Sequence, residues 1–340
     1  MKMWKGPSFI IISVLVLMIL VLPTLIVVPF IEHNKEGATE QPAATEAVAE
    51  YNLEENPAFV VSVLRDQANQ VEEVPLELYV SRVVASEMPA DFEIEALKAQ
   101  ALAARTYIVR YLVQGEEKLQ GGADVTDTVQ HQVYKNDEEL RQIWGTDYEW
   151  KIQKVRQAVG ETKGEILTFE GDPIFAAFFS TSNGKTENSE DYWKNEIPYL
   201  RSVSSPWDET SPKYLDQKVF SESEVENLLA VNIDPTKPVL ANIEKTESNR
   251  ISKATIGDKT LTGREIREAL ALQSSDFTVE YRDNHFIFKT KGYGHGVGMS
   301  QFGANGMAQE GKDYKEIVTH YYKGVAIENV DSFLPKMASK

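Results

Sequence analysis

The chain has 340 residues, of which 42% are hydrophobic, 10% aromatic and 26% charged, enough for one large or two medium folded domains and inconsistent with wholesale disorder. Lys and Arg number 35 against 52 Asp and Glu, and the net charge of −17 excludes a basic footprint for nucleic acid and simple electrostatic docking to anionic lipid. The absence of cysteine excludes disulfide frameworks, thiol nucleophiles and thiolate-held zinc or iron–sulfur sites, but does not decide the compartment.

Phe9 to Phe30 is an uncharged apolar run interrupted by Ser13, Pro23 and Thr24, long enough as a helix to span a hydrocarbon layer. Lys2 and Lys5 precede it and Glu32, Lys35 and Glu36 follow, so the positive-inside bias puts the short amino end in the cytoplasm. A cleaved signal peptide is the competing reading. The run exceeds a normal signal core, however, and no Ala-x-Ala pattern closes it. The sequence therefore predicts a cytoplasmic end over 1–7, an uncleaved anchor over 8–31, an acidic Ala/Thr/Glu linker over 32–57 and a single extracytoplasmic domain over 58–335. No fixed-period repeat is present.

Within that domain Phe59–Leu64 reads as a strand. Pro75 then opens a periodic helix with Leu76, Tyr79, Val80, Val83 and Val84 on one face, and Pro89 ends it. A second helix is expected from about Phe92 to Val113, closed by Gly115. Ile166–Phe169 and Ile174–Phe179 read as buried strands around the turn Glu170-Gly171-Asp172-Pro173. Ser221…Glu224 and Thr262…Glu265 are capping boxes, and Asp283-Asn284 joins the strands Phe277–Arg282 and His285–Thr290 as a hairpin. A glycine-rich loop and a helix through Tyr314–Tyr322 follow. Helices and strands mix without regular alternation, which predicts an α+β fold with mostly antiparallel strands.

Several chemistries fail on spacing. Gly184-Lys185-Thr186 lacks the glycine that a phosphate loop needs five residues earlier, where Phe179 stands. Glycines 292, 294, 296 and 298 do not fit a dinucleotide fingerprint, and the five histidines are scattered, with no H-E-x-x-H. Ser300 follows His295 by five residues without a G-x-S-x-G elbow, which leaves a serine hydrolase as a weakly marked alternative.

Glu87 is the most informative residue. It continues the apolar face set by Val83 and Val84, and Pro89 places it in the last turn, where the helix dipole disfavours a carboxylate. Both effects favour the protonated form required of a general acid. The alternative is a carboxylate that bends to water or pairs with Arg82 or Arg105.

Three blocks, in order, resemble the stage II sporulation protein D family. They are Ser86-Glu87-Met88-Pro89 continuing through Glu95–Tyr107; Phe179-Ser180-Thr181-Ser182-Asn183-Gly184-Lys185-Thr186-Glu187 continuing to Asp191, Trp193 and Pro198-Tyr199-Leu200; and Gly292–Ala304 reaching His320-Tyr321-Tyr322. The resemblance spans roughly Phe59 to Phe333. It implies a peptidoglycan lytic transglycosylase of the mother-cell membrane acting in forespore engulfment, with Glu87 matching the catalytic acid and no cofactor. It further implies partnership with a cell-wall amidase and a membrane scaffold, stage II sporulation proteins P and M. Substrate contacts are expected from Arg105, Tyr107, Ser180, Asn183, Tyr293, His295 and Gln301. Read as residues alone, Arg105 is equally suited to reach solvent or hold a buried acid, Asn183-Gly184 to form a capped turn, and His295 to satisfy a backbone carbonyl. Trp193 and Tyr199 suit the core better than a sugar platform. Some members of the family carry a Cys/His zinc site at the segment matching Gln130–Tyr134, where this chain has His131 and no cysteine, so no metal is expected. The same superfamily includes amidase enhancers, which makes a non-catalytic amidase activator the main rival reading.

Overall fold

Val60–Arg65 (β1) alternates buried and exposed residues and turns back through Gln70–Pro75 (β2) in an antiparallel pair. The computed structural model describes residues 51–54, 59–115, 117–234 and 236–335. The expected anchor over 8–31 and most of the linker over 32–57 lie outside the described residues, among which no helix is long and apolar enough to cross a membrane. The described fold is α+β, with small sheets that are mostly antiparallel.

Pro75, whose missing N–H suits a helix start, sits at the N-cap of Leu76–Glu87 (α1). Ile94–Gln114 (α2) follows and ends at Gly115, whose φ of 67° is the left-handed C-cap expected of glycine. Ala96, Ala99, Ala101, Ala103 and Ala104 of α2 are all fully buried, and their small side chains admit close neighbours. The helices packed there include α1 and Tyr148–Glu161 (α4), the latter preceded by Asp137–Trp144 (α3). Glu165–Phe169 (β4) crosses the same helix and turns through Glu170 and Gly171, both at positive φ, into Asp172–Pro173 (β5).

The strand expected at Ile174–Phe179 is broken. Only Asp172–Pro173 and Phe178–Phe179 (β6) pair, because Ala177 N–H turns back to Phe175 O and β6 leaves the hairpin to run parallel with Met299–Ser300 (β13). That pairing brings the glycine-rich loop alongside Phe175–Phe178. Gly298 permits it: φ is 80°, and a Cβ there would lie 2.0 Å from the Ala177 carbonyl oxygen. Gln301–Gln309 (α8), capped by the Ser300 hydroxyl, and Tyr314–Tyr321 (α9) complete this first core.

A second hydrophobic core gathers Val225, Ile251, Ile256, Ile266, Phe277, Phe286 and Phe288. Leu215–Ser221 (β7) pairs with His285–Lys291 (β12), which pairs with Phe277–Arg282 (β11) through the expected Asp283-Asn284 turn. Both predicted capping boxes form, opening Glu222–Leu229 (α6) and Gly263–Ala269 (α7). A three-stranded sheet of Ala241–Lys245 (β8), Ile251–Ile256 (β9) and Lys259–Thr262 (β10) lies beside them. The β8–β9 turn latches onto the first core, since the hydroxyls of Thr246 and Ser248 both donate to Glu187 Oε2 at 2.7 Å.

Candidate active site

Helix α1 stops at Glu87 because Met88 is extended (φ −122°, ψ 137°), as a residue before proline prefers; its N–H still bonds Val84 O. The last turn carries no basic residue, so nothing there offsets the negative end of the dipole. Glu87 Oε1 accepts a hydrogen bond from Val133 N–H at 2.9 Å. Burial pushes the carboxyl above its ordinary value, outweighing the Val133 bond and the field of Lys135. The two arginines adjacent in sequence pattern are engaged elsewhere. Arg82 bonds Glu72 (3.0 Å), Asp137 (2.7 Å) and the Tyr134 hydroxyl (2.6 Å). Arg105 pairs with Glu77 at 2.7 Å.

Glu87 opens into a cleft of about 380 Å³ walled by Tyr107, Val129–Val133, Phe175–Phe178 and His295. Glu87 is the single carboxyl among the lining residues. A larger cleft of about 650 Å³ uses the other residues of the 127–136 segment, and there Arg65 bonds Glu72, Asp127 and Glu139. The smaller cleft is the candidate site because it is lined by Glu87, whose carboxyl is raised by burial and forms no ion pair among the described residues.

Three of the expected substrate residues gather around Glu87. Tyr107 lines the cleft, stacked on Tyr111 at a 6.5 Å centroid distance, with its hydroxyl pushed up to about 12 by burial. His295 also lines it. Its Nδ1 accepts from Val297 N–H at 3.1 Å, which leaves the proton on Nε2 to donate to the Phe178 carbonyl. Burial, together with the fields of Arg267, Arg250 and Arg264, lowers its pKa to about 3, so the ring is neutral. It is boxed by Phe179, Tyr192 and Trp193, and it is a wall of the cleft bonded to backbone, with no hydrogen bond to Glu87. Gln301, at the start of α8, sits behind the acid: its Nε2 donates to the Glu87 carbonyl oxygen at 3.1 Å and to Gln100 Oε1 at 3.3 Å.

The other four lie outside the cleft lining. Arg105 is wholly buried; besides Glu77 its guanidinium bonds the carbonyls of Glu165 (3.0 Å) and Val159 (3.3 Å), so it holds the core together where a sugar contact was expected. Asn183 Nδ2 donates to Ser248 O (2.7 Å) and Asp276 Oδ2 (2.8 Å), tying the second core to the first. The Ser180 carbonyl receives Phe302 N–H, and its hydroxyl lies 3.3 Å from that of Thr181. Tyr293 is exposed, with the Lys213 ammonium 5.2 Å from its ring centre. The serine-hydrolase pairing does not form either, because the Ser300 hydroxyl donates to buried Asp208 and His295 faces Val297.

Sequence reasoning missed the wall contributed by Val129, Gln132 and Val133. His131 stands there too, with Nδ1 accepting from Thr126 N–H at 3.2 Å and Nε2 within 3.3 Å of the Tyr111 hydroxyl. Both of its nitrogens are occupied and, among the described residues, no group of His, Asp or Glu gathers to hold a metal. With no cysteine in the chain, this donor set does not fit the Cys/His zinc site that the family resemblance suggested for this segment.

The geometry thus defines an α+β domain built round one cleft-lining acid at a helix end. Residues 64–169 match the family described as stage II sporulation protein. The chain is 48% identical to stage II sporulation protein D of Bacillus subtilis (strain 168) over 335 residues, covering 96% of this chain and 97% of that protein. It is 46% identical to the Bacillus amyloliquefaciens protein of the same name, covering 98% and 99%. The amidase enhancer of Bacillus subtilis (strain 168) is 27% identical over 72% of this chain and 39% of its own length. The chain belongs to the stage II sporulation protein D family, which makes it a sporulation protein.

Proposed function

We propose that the domain is a lytic transglycosylase that cleaves the bond between N-acetylmuramic acid and N-acetylglucosamine in peptide-stripped glycan strands. The observation that carries this reading is the lone, partly buried Glu87 carboxyl with a raised pKa and no second acid in its cleft. Protonated Glu87 donates to the glycosidic oxygen as positive charge develops at the anomeric carbon. The carboxylate then removes the proton of the muramic acid's own C6 hydroxyl, which attacks C1 and closes a 1,6-anhydro ring. An inverting hydrolase needs a second carboxylate roughly 6.5–9.5 Å away to activate water, a group this route does without.

The family's expected setting comes with this reading: an anchor over 8–31 in the engulfing mother-cell membrane, with a cell-wall amidase (stage II sporulation protein P) and a scaffold (stage II sporulation protein M) as partners. The amidase would strip stem peptides before this domain cuts. A second reading, a glycan-binding activator of such an amidase, is favoured by the 27% identity to the amidase enhancer. Incubation of the purified chain with peptide-free glycan strands decides between them. Products ending in 1,6-anhydro-muramic acid, lost in Glu87→Gln, support the transglycosylase; no cleavage but faster turnover by an added amidase supports the activator.

A further inference from the structure

Arg110 stands one helical turn beyond Tyr107 on the same side of α2 and is half-buried. Its guanidinium carbon lies 5.5 Å from the ring centre of Phe175, a wall of the cleft, and its charge acts on the hydroxyl of Tyr107, another wall residue. Arg110 therefore flanks the cleft beside two of its lining residues without being part of the lining itself. Among the described residues it makes no ion pair or hydrogen bond, and none of its nitrogens is shut off from solvent. Arg65, Arg82, Arg105 and Arg201 each hold a carboxylate instead. A half-buried guanidinium with an open fork is thus left at the edge of the site, in a chain with 52 acidic residues available to pair with it.

Hydrolysis of the amide that joins a stem peptide to muramic acid breaks the carbon–nitrogen bond. The peptide leaves with an amine, and the sugar's 3-O-lactyl group keeps a free carboxylate. That carboxylate is the one anion on a peptide-stripped strand, and a planar guanidinium is matched to it. We propose that Arg110 is a specificity residue that pairs with the lactyl carboxylate of a muramic acid in a strand running past the cleft, so that the domain selects strands whose peptides have been removed. On a peptide-bearing strand the same position holds a neutral amide, which offers the guanidinium one carbonyl oxygen and no charge. The contact places this reaction after an amide hydrolysis at muramic acid, the class of step that creates the carboxylate. This rests on the glycan reading above and narrows it to one substituent.

The test measures binding to the full chain, purified in detergent and carrying Glu87→Gln to stop turnover. Calorimetry compares peptide-free glycan strands with the same strands after carbodiimide coupling to methylamine, which turns each lactyl carboxylate into a neutral amide. The carboxylate strands should bind about tenfold tighter or more, the factor for a hydrogen bond to a charged group. Adding Arg110→Met, which keeps the contact with Phe175 and drops the charge, should erase the preference. Arg110→Gln decides in its place if the methionine variant melts near the working temperature. Equal affinity for the two strands before Arg110 is changed, or an unaltered preference after it is changed, overturns the proposal while leaving the glycan reading intact. Failure to bind either strand overturns both.

Discussion

Glu77→Gln is the perturbation whose cost the packing fixes most tightly. Arg105 is wholly buried and directs Nε at both Glu77 oxygens (3.1 Å each) and Nη2 at Oε2 (2.7 Å). Glu77 Oε1 also accepts from Gly164 N–H at 3.1 Å. Glutamine keeps the volume and one oxygen, but turns an N–H₂ toward the guanidinium and leaves a buried cation without a counter-charge. Breaking a buried pair from one side costs about 3–5 kcal/mol, a large part of the roughly 5–15 kcal/mol that holds a domain folded. Replacing both partners by apolar residues, Glu77→Leu with Arg105→Met, should cost far less than either single change, because no charge is then stranded. Urea unfolding followed by circular dichroism reads both results, with the slope checked for two-state behaviour. The pair joins the first turn of α1 to the middle of α2, so the loss appears in stability while glycan affinity of the folded fraction stays the same. A cost below about 1 kcal/mol, accompanied by weakened glycan binding, would refute this reasoning and return Arg105 to the substrate.

Glu87→Gln should lower kcat/KM about 100- to 10,000-fold without unfolding the domain. The folded-state pKa of Glu87 is raised, so its contribution to stability is present below the unfolded value and lost as pH rises through the folded one; melting temperatures across pH should show Glu87→Gln gaining on the parent over that window. Activity should fall over the same window as the acid ionises. Gln301→Leu should reduce kcat about 10- to 100-fold with little change in KM, because the amide holds the Glu87 carbonyl from behind, away from the sugar. Asp208→Ala strands Ser182 N–H and the hydroxyls of Ser182, Ser205 and Ser300, and should cost at least about 3 kcal/mol in a chemical melt; Ser300→Ala should cost less and remain active.

The helix bearing Glu87 was legible from Pro75, the run Val80, Val83 and Val84, and Pro89, because these are local signals of start, face and stop. The hairpins at Glu170-Gly171 and Asp283-Asn284 were legible for the same reason, since their turns need positive φ that Gly and Asn tolerate. Helices α3 and α4 carry local signals that the sequence reading did not use: Asn136 and Glu139 form a capping box, and Ile152, Val155 and Val159 recur at helical spacing on α4, while only Leu140 of α3 is buried. The cleft lining itself was illegible beyond Glu87, Tyr107 and His295. Its wall comes from an irregular segment around Gln132, held by Glu87 and Tyr79, and from a broken strand at Phe175–Phe178, fixed by pairing with residues more than a hundred places away. Arg105 and Asn183 match family blocks yet serve packing, and sequence gives no way to tell a buried ion pair from a ligand contact when the partner, Glu77 or Asp276, is set by tertiary structure.

Whether the sugar's own hydroxyl or water completes the reaction is the question on which the account turns. Digestion of peptide-free glycan strands in water enriched with heavy oxygen, followed by mass spectrometry of the muramic acid ends, answers it directly. Anhydro ends one water lighter than reducing ends and free of the label are the expected result. Labelled reducing-end muramic acid would contradict it and require a second group near Glu87 to activate water.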